Sequence, residues 1–308
     1  MRIAFVTNEF VTEKHFYGGL ANYLYRVAKA LAEEGHEVHV VTGSETDKKD
    51  FQFNGIFIHR ITLWSIPPCL KPRDMQGPTA ERLLFNIKVW RKLRAINKKT
   101  KIDIIQYTNV YACGLIPGLL LRIPYVVRVS SYRPLWDNLN KKKWAVEYKM
   151  HAWIERLQLK LSRHTYVPSK TMKKILEETG LKNIKIIRSP AYIETGAWDF
   201  SYCDEMLKDK EYVLFFGRFQ KRKGFHVVAQ AAPSFLRQHP GAYMVCIGLN
   251  EDYKTTLMKE NAVSLCGDNA ARMIFMHQLQ HAQLYPIIQR AKLVVLPSLI
   301  ENLSNACL

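Results

Sequence analysis

The fold of this chain is decided by residues 212–238, which read YVLFFGRFQKRKGFHVVAQAAPSFLRQ. A run of five apolar residues ends at a glycine, a short basic loop follows, and from Gly224 to Gln238 apolar residues recur at the spacing of a helix. A strand joined by a short loop to a helix of this length is the repeating unit of a parallel sheet with crossover helices. The stretch therefore predicts an α/β fold.

The same alternation continues along the chain and forms two series. In the first, the predicted strands are 3–7, 38–42, 56–61, 104–107, 125–129 and 165–168, and the predicted helices are 20–34, 80–98, 141–162 and 170–179. In the second, the predicted strands are 212–216, 243–248, 273–276 and 293–296, and the helices are 224–238 and 281–290. We therefore predict one doubly wound domain over 1–190, a linker over 191–211 and a second doubly wound domain over 212–308, with a ligand cleft between them.

The composition is that of a soluble globular protein. The 308 residues are 48% hydrophobic, and the mean hydropathy is −0.17. The start of the chain lacks the features of a signal peptide, and the most apolar region, 110–129, is interrupted by prolines and arginines. The six cysteines form no CxxC pair, which favours reduced thiols and a cytoplasmic location.

The positive charge lies almost entirely on the first domain. Residues 1–190 contain 33 Lys and Arg against 16 Asp and Glu, a net charge of +17. Residues 191–308 contain 12 against 11, a net charge of +1. This asymmetry predicts that the first domain faces an anionic partner, which could be lipid, a polyphosphate-linked substrate or nucleic acid.

The basic loop after the strand at 212–216 is the clearest candidate binding site. Gly217 permits a tight turn, Arg218 offers a planar fork for two phosphate oxygens, and Lys223 adds a second charge. Gly224 opens the next helix, whose free amides favour an anion. The plainer alternative is a solvated basic loop.

A carboxylate follows the last predicted strand. Glu301 is in position to accept hydrogen bonds from sugar hydroxyls, and the amides of Asn302, Leu303 and Ser304 could meet phosphate or sugar oxygens. The alternative is an ordinary acidic residue at the start of a helix, stabilised by the helix dipole.

Together these motifs resemble the retaining GT-B glycosyltransferases of family 4 along the whole chain. The resemblance implies two Rossmann-like domains facing across a cleft, the second incomplete, with Arg218 and Lys223 binding the donor diphosphate. It implies that Glu301 touches the donor sugar and that Gly18 and Gly19 lie in the loop over the diphosphate. The family motif places a second glutamate eight positions after the first; here the sequence ends seven residues after Glu301, which predicts a truncated domain.

One position departs from the family pattern. Many members have a histidine after the strand that corresponds to 125–129, and Ser130 stands there in this chain. Serine can donate a hydrogen bond but is not an efficient base. We therefore expect Glu301 and Ser130 at the reacting sugar, with the leaving diphosphate deprotonating the acceptor. Arg128 and Arg133 are candidates for an anionic acceptor, or else are exposed strand-end residues.

No metal or cofactor is expected. The sequence has no Asp-x-Asp and no GxSxG. By this interpretation, Arg218, Lys223 and helix amides neutralise the diphosphate without a cation.

Two basic amphipathic segments predict a membrane-facing surface. The first segment begins with Lys141, Lys142, Lys143 and Trp144 and continues to residue 157. The second segment covers residues 82–94. Each is equally compatible with a crossover helix that buries its apolar stripe on the sheet.

The sequence thus predicts a metal-independent glycosyltransferase that moves a sugar, with retention, from a nucleoside diphosphate sugar to a lipid-linked or cell-envelope saccharide. Such an enzyme would act in the cytoplasm or on the inner face of the membrane, in polysaccharide biosynthesis. One rival is a GT-B fragment that binds nucleotide sugar or acceptor without turnover. The other is a polyanion-binding protein, which lacks any recognisable nucleic-acid module in this sequence.

Overall fold

The computed structural model describes residues 1–13, 19–45, 48–62, 79–134, 146–190, 198–248, 253–299 and 301–303. The chain divides into two compact units. The first consists of Met1–Tyr192 with Asn302–Leu308, and the second of Ile193–Glu301. Residues 302 and 303 thus group with the first unit, whereas the sequence assigned them to the second domain.

The first unit alternates strands and helices. In chain order its elements are β1 Arg2–Thr7, α1 Gly19–Glu33, β2 Glu37–Ser44, β3 Phe51–Phe53, β4 Ile56–Thr62, α2 Thr79–Thr100, β5 Ile104–Thr108, α3 Leu115–Leu120, β6 Tyr125–Arg128, α4 Val146–Leu161, β7 Thr165–Val167, α5 Lys170–Glu178 and β8 Ile184–Ile186.

These strands form one eight-stranded sheet. Its order is β3-β4-β2-β1-β5-β6-β7-β8. Neighbouring strands are parallel except β3 and β4, which are antiparallel. The carboxyl ends of parallel strands lie at the same edge of the sheet, so the loops after β5, β6, β7 and β8 come together at that edge.

Local sequence signals mark where helices of this unit begin and end. After α1, Gly35 adopts a φ of +82°, and the His36 amide donates to the Leu31 carbonyl at 3.0 Å. This is the glycine-terminated helix end that lets the chain enter β2. At the other end of a helix, the Ser169 hydroxyl accepts from the Met172 amide and fixes the start of α5.

The second unit has a four-stranded parallel sheet. Its elements are α6 Ser201–Leu207, β9 Glu211–Phe216, α7 Phe225–Gln238, β10 Ala242–Ile247, α8 Tyr253–Cys266, β11 Met273–Met276, α9 His281–Arg290 and β12 Leu293–Val294. The order is β11-β10-β9-β12, so the loops that follow β9 and β12 are neighbours.

The α/β class and the parallel sheets are confirmed, and two predicted features are wrong. The predicted linker over 191–211 contains α6, whose Cys203 and Leu207 are buried against the sheet residue Tyr212. The pattern also missed β3, α3, β8 and α8, since short or weakly periodic elements give little signal. The first five residues of the predicted helix 141–162 lie outside the described residues.

Within the described ranges, no helix combines the length and the apolar character needed to cross a bilayer. The long helix α2 carries charges along its length and buries Phe85, Val89 and Leu93 in the core of the first unit. It therefore behaves as the crossover helix that the sequence allowed as an alternative.

Candidate functional site

The loop between β9 and α7 begins with a backbone turn that only glycine adopts easily. Gly217 has a φ of +142°, and its amide donates to the Ile247 carbonyl at 2.8 Å. A Cβ atom on the neighbouring Gly248 would lie 2.0 Å from the Gly217 carbonyl oxygen. The two glycines therefore allow the ends of β9 and β10 to approach closely and direct the chain out of the sheet.

A buried phenylalanine anchors the loop in its middle. Phe219 is 1% exposed and stacks on Phe225 with ring centroids 4.6 Å apart. Phe215 and Phe275 complete this aromatic cluster. Arg218 and the basic turn Lys221–Lys223 lie on either side of Phe219 in the sequence, so the backbone that carries them is anchored by its packing.

The same loop is joined to the segment after β12. Gly224 has a φ of +74°, and a Cβ atom on it would lie 1.8 Å from the Pro297 carbonyl oxygen. The Leu299 amide donates to the Arg222 carbonyl at 3.0 Å. These contacts bring Glu301 to the basic turn.

Four charged side chains meet at this end of the sheet. Lys223 Nζ forms an ion pair with Glu301 Oε1, and about a quarter of each side chain is exposed. Burial lowers the pKa of the Arg222 guanidinium, Glu301 opposes that shift, and Arg218 reinforces it. Three cations, Arg218, Arg222 and Lys223, thus lie around the ion pair of Lys223 with Glu301, and this concentration of positive charge suits a polyanionic ligand.

The structure places the predicted residues of this unit together. Arg218, Lys223 and Glu301 were singled out from the sequence, whereas Arg222 was not. Its only sequence signal was its place in the Lys-Arg-Lys run, which is more often a solvated face. The direct pairing of Lys223 with Glu301 was also unforeseen, because the sequence does not show that β9 and β12 are adjacent.

In the first unit, Ser130 is held by its neighbours. Its amide donates to Asn109 Oδ1 at 2.8 Å, and Arg128 Nη1 donates to its hydroxyl oxygen at 2.7 Å. The Asn302 side-chain amide donates to the Val129 and Ser130 carbonyls at 2.9 and 3.0 Å. Because Ser130 Oγ accepts from Arg128, its own proton is available to another acceptor.

The remaining predicted residues have different surroundings. Gly19 is the first residue of α1, Leu303 lines a cavity in the first unit, and the half-buried Arg133 lies over the Tyr148 ring at 5.0 Å. The predictions for Gly18, Ser304, Lys141, Lys142, Lys143 and Trp144 lie outside the described residues.

Arg128 corrects one prediction. It is 6% exposed, and its guanidinium lies 3.5 Å from the centre of the Tyr23 ring. The alternative of an exposed strand-end residue is therefore wrong for Arg128. Burial also lowers the pKa of its guanidinium.

The part of the chain that the structure describes contains no cluster of three or more His, Cys, Asp or Glu residues that could hold a metal ion.

The two units match two family models. Residues 17–193 match the model described as Glycosyltransferase Family 4, and residues 205–308 match Glycosyl transferases group 1. An uncharacterized glycosyltransferase of Methanocaldococcus jannaschii is 24% identical over an alignment that covers 98% of this chain and 75% of the relative.

Solved structures share the fold at lower identity. Sucrose-phosphate synthase from Thermosynechococcus elongatus has a TM-score of 0.75 at 18% identity, covering 98% of this chain and 77% of that one. Anabaena Alr3699/HepE, solved in complex with UDP-glucose, has a TM-score of 0.65 at 14% identity, covering 98% and 75%. With Glycosyltransferase Family 4 matched over more than half its length, this chain belongs to that family of GT-B glycosyltransferases.

Proposed function

We propose that this glycosyltransferase transfers a sugar, with retention, from a nucleoside diphosphate sugar, and that Arg218, Lys223 and Glu301 hold the donor. The observation that carries the proposal is the charged cluster at the carboxyl ends of β9 and β12. Ligands of parallel α/β sheets bind at this edge. A site with three cations and one carboxylate suits a group that is anionic at one end and rich in hydroxyls at the other.

In the proposed complex, the diphosphate takes the place of Glu301 as the partner of Lys223. Arg218 gives two parallel hydrogen bonds to phosphate oxygens, and Lys223 contributes a point charge. Glu301, released from Lys223, accepts hydrogen bonds from the sugar hydroxyls. Arg222 adds positive charge nearby, where burial strengthens its effect on the diphosphate.

Transfer with retention then needs little acid–base chemistry from the protein. The leaving diphosphate is stabilised by Arg218, Lys223 and helix amides, and it accepts the proton of the attacking hydroxyl on the same face of the sugar. Ser130 contributes a hydrogen bond through its available proton and does not act as a base. The reaction proposed in this way uses no metal ion.

The test is calorimetric binding of UDP, GDP and ADP to the 308-residue protein. Each charge-assisted hydrogen bond contributes about 1.5–3 kcal/mol. We therefore expect Arg218→Ala and Lys223→Ala each to raise the Kd for the preferred nucleotide about tenfold or more.

Arg237→Ala and Lys208→Ala are matched controls, since both residues are exposed on the same unit. Unchanged binding in the two site variants would remove these residues from the donor site. Nucleotide binding without sugar transfer to a lipid extract and without donor hydrolysis would select the alternative of a binding protein without turnover. The anomeric configuration of the product, read by NMR, tests retention.

We further propose that the acceptor lies at an anionic membrane surface as a lipid-linked or cell-envelope saccharide. Support comes from an apolar patch on α3 and α4, in which Leu119, Leu120, Val146 and Trp153 are 57–74% exposed. The two helices are joined by a buried cluster that contains Leu115 of α3, Ile154 of α4 and Ala112. Exposed apolar patches on a basic unit are suited to the interface of an anionic bilayer.

The segment 141–157 was predicted either to face a membrane or to bury its apolar stripe. In α4, apolar side chains of this segment lie on both a buried and an exposed face. Ile154 is buried and Leu157 packs beside it, while Met150 and Trp153 are exposed. One part of the apolar surface of α4 is therefore buried in the core, and the other part is exposed and available to lipid.

A further inference from the structure

A cavity of about 250 Å³ lies in the first unit, beside the carboxyl ends of β7 and β8. Its wall includes Ser169, Lys170, Arg188, Ser189 and Leu303. Of its wall residues only Leu303 was singled out from the sequence, and the three side chains of the proposed donor site, Arg218, Lys223 and Glu301, do not line the cavity. Its volume is enough for a phosphate group with part of a sugar ring attached.

A buried guanidinium reaches this wall from behind. Arg128 Nη2 donates to Ser189 Oγ at 3.2 Å, and Arg128 Nη1 donates to Ser130 Oγ. Arg128 Nε is buried and has no hydrogen-bond partner among the described residues. Within the same ranges, no carboxylate pairs with Arg128.

An unpaired buried charge is costly. Even after relaxation, the penalty for removing a charged group from water is several kcal/mol, and it is normally offset by an opposite charge. The Tyr23 ring, whose centre lies 3.5 Å from the Arg128 guanidinium, offsets part of this cost. The surroundings of Arg128 therefore favour a ligand that brings negative charge to the Ser189 side.

The rim of the cavity adds two more cations and no carboxylate. Lys170 and Arg188 are both exposed at the wall, and the described residues that line the cavity include no Asp or Glu. Lys170 is also the first residue of α5, whose positive dipole end lies here. All the fixed charges at the cavity thus have one sign.

The two serines of the cavity wall differ in whether the hydroxyl proton is already used in a hydrogen bond. Ser169 Oγ accepts from the Met172 amide at 3.1 Å and contacts Asn302 Oδ1 at 3.4 Å, so its donor and acceptor are both used. Ser189 Oγ accepts from Arg128, which leaves its proton free to donate into the cavity. Ser189 is therefore the hydroxyl that meets a ligand.

We propose that this cavity binds a phosphate group of the acceptor, with Lys170, Arg188 and Ser189 as its direct partners and Arg128 as the buried charge behind Ser189. The proposal rests on the proposed function in taking the ligand to be the acceptor. A phosphate suits the arrangement because its oxygens point in several directions, so that the two rim cations and the Ser189 hydroxyl can each meet one.

The test is calorimetric titration of the 308-residue protein with inorganic phosphate and glucose 6-phosphate, with UDP at saturation so that the donor diphosphate site is filled. We expect Lys170→Ala and Arg188→Ala each to weaken phosphate binding about five- to tenfold, because each removes one charged hydrogen-bond donor. The affinity for UDP should change less than about twofold. Lys182→Ala, at an exposed position of the same unit outside the cavity, should leave both affinities unchanged.

Three results would overturn the proposal: no phosphate binding by the wild-type protein, the same loss in the Lys182→Ala control, or acetate binding as tightly as phosphate. Both rim residues are exposed, so their replacement leaves the core intact. If the wild-type protein prefers GDP or ADP, that nucleotide replaces UDP in the titration. If it binds none of the three, the proposed function fails separately, and the phosphate titration on Arg218→Ala still tests the cavity.

Discussion

Gly224 shows how a single residue can hold this site together. Its φ of +74° is rarely adopted by residues with a side chain. In addition, a Cβ atom would meet the Pro297 backbone at 1.8 Å, and backbone cannot rotate away as a side chain can. Strain and overlap therefore act at the same position.

We predict that Gly224→Ala lowers the free energy of unfolding by about 2–4 kcal/mol and weakens nucleotide binding, measured by urea denaturation and calorimetry. Gly180→Ala separates the two causes, because Gly180 has a φ of +83° with nothing within 4 Å of the added Cβ. That variant should lose only about 1 kcal/mol from strain. Equal losses in the two variants would contradict the role assigned to the Pro297 contact.

His151 gives a prediction about charge in the first unit. It is fully buried, and burial, aided by the nearby Arg82 and Arg133, lowers its pKa to about 3. We expect its imidazole to show no NMR titration between pH 5 and 8. Since its pKa is depressed in the folded state, the unfolded state binds more protons as pH falls below about 6.5, and stability declines there. A His151 imidazole that titrates near pH 6.5 would contradict this environment.

At the scale of elements, α5 depends on its first turn. Ser169 caps the helix by accepting from the Met172 amide, and the same hydroxyl lies 3.4 Å from Asn302 Oδ1. One side chain thereby links the helix start to the residue that holds the Val129 and Ser130 carbonyls.

We predict that Ser169→Ala costs about 1–2 kcal/mol of stability in urea denaturation, and that Ser169→Thr, which keeps both the capping oxygen and the proton donated to Asn302 Oδ1, restores most of it. Ser201→Ala is a useful comparison, since Ser201 begins α6 without capping it, and its loss should be smaller. A loss in Ser169→Ala no larger than that in Ser201→Ala would contradict the capping role.

The elements also show why prediction from sequence succeeded and where it stopped. Long apolar strands and periodic helices gave the α/β fold, because their spacing is a local property. The order β11-β10-β9-β12 is not local, so the meeting of Lys223 with Glu301 required the structure. For Arg128 the sequence left two alternatives, a contact with an anionic acceptor or an exposed strand end. Its burial against Tyr23 depends on the packing of α1, which the sequence pattern does not show.

For the whole molecule, the distribution of charge is the property with the widest effect. Residues 1–190 hold nearly all of the net charge of +18, and the apolar patch on α3 and α4 lies within them. Attraction to an anionic bilayer adds on the order of 1 kcal/mol for each basic residue near the surface and is screened by salt.

We predict that binding to liposomes, measured by co-sedimentation, rises with the fraction of anionic lipid and falls as salt increases. Trp153→Ser should weaken it several-fold, because it removes the large exposed side chain of the patch. Leu265→Ser, at an exposed apolar position on the second unit, is the matched control and should have no effect. Equal binding to neutral vesicles would count against a membrane-bound acceptor.

The contacts of Gly224 with Pro297 and of Leu299 with Arg222 have a consequence for substrate selection. They fix the separation between the cations at the end of β9 and the carboxylate after β12. Under the proposed function, a donor must therefore match a set distance from phosphate to sugar ring. Sugars linked through one phosphate, or through three, should be rejected on length alone, even when their sugar and base are correct.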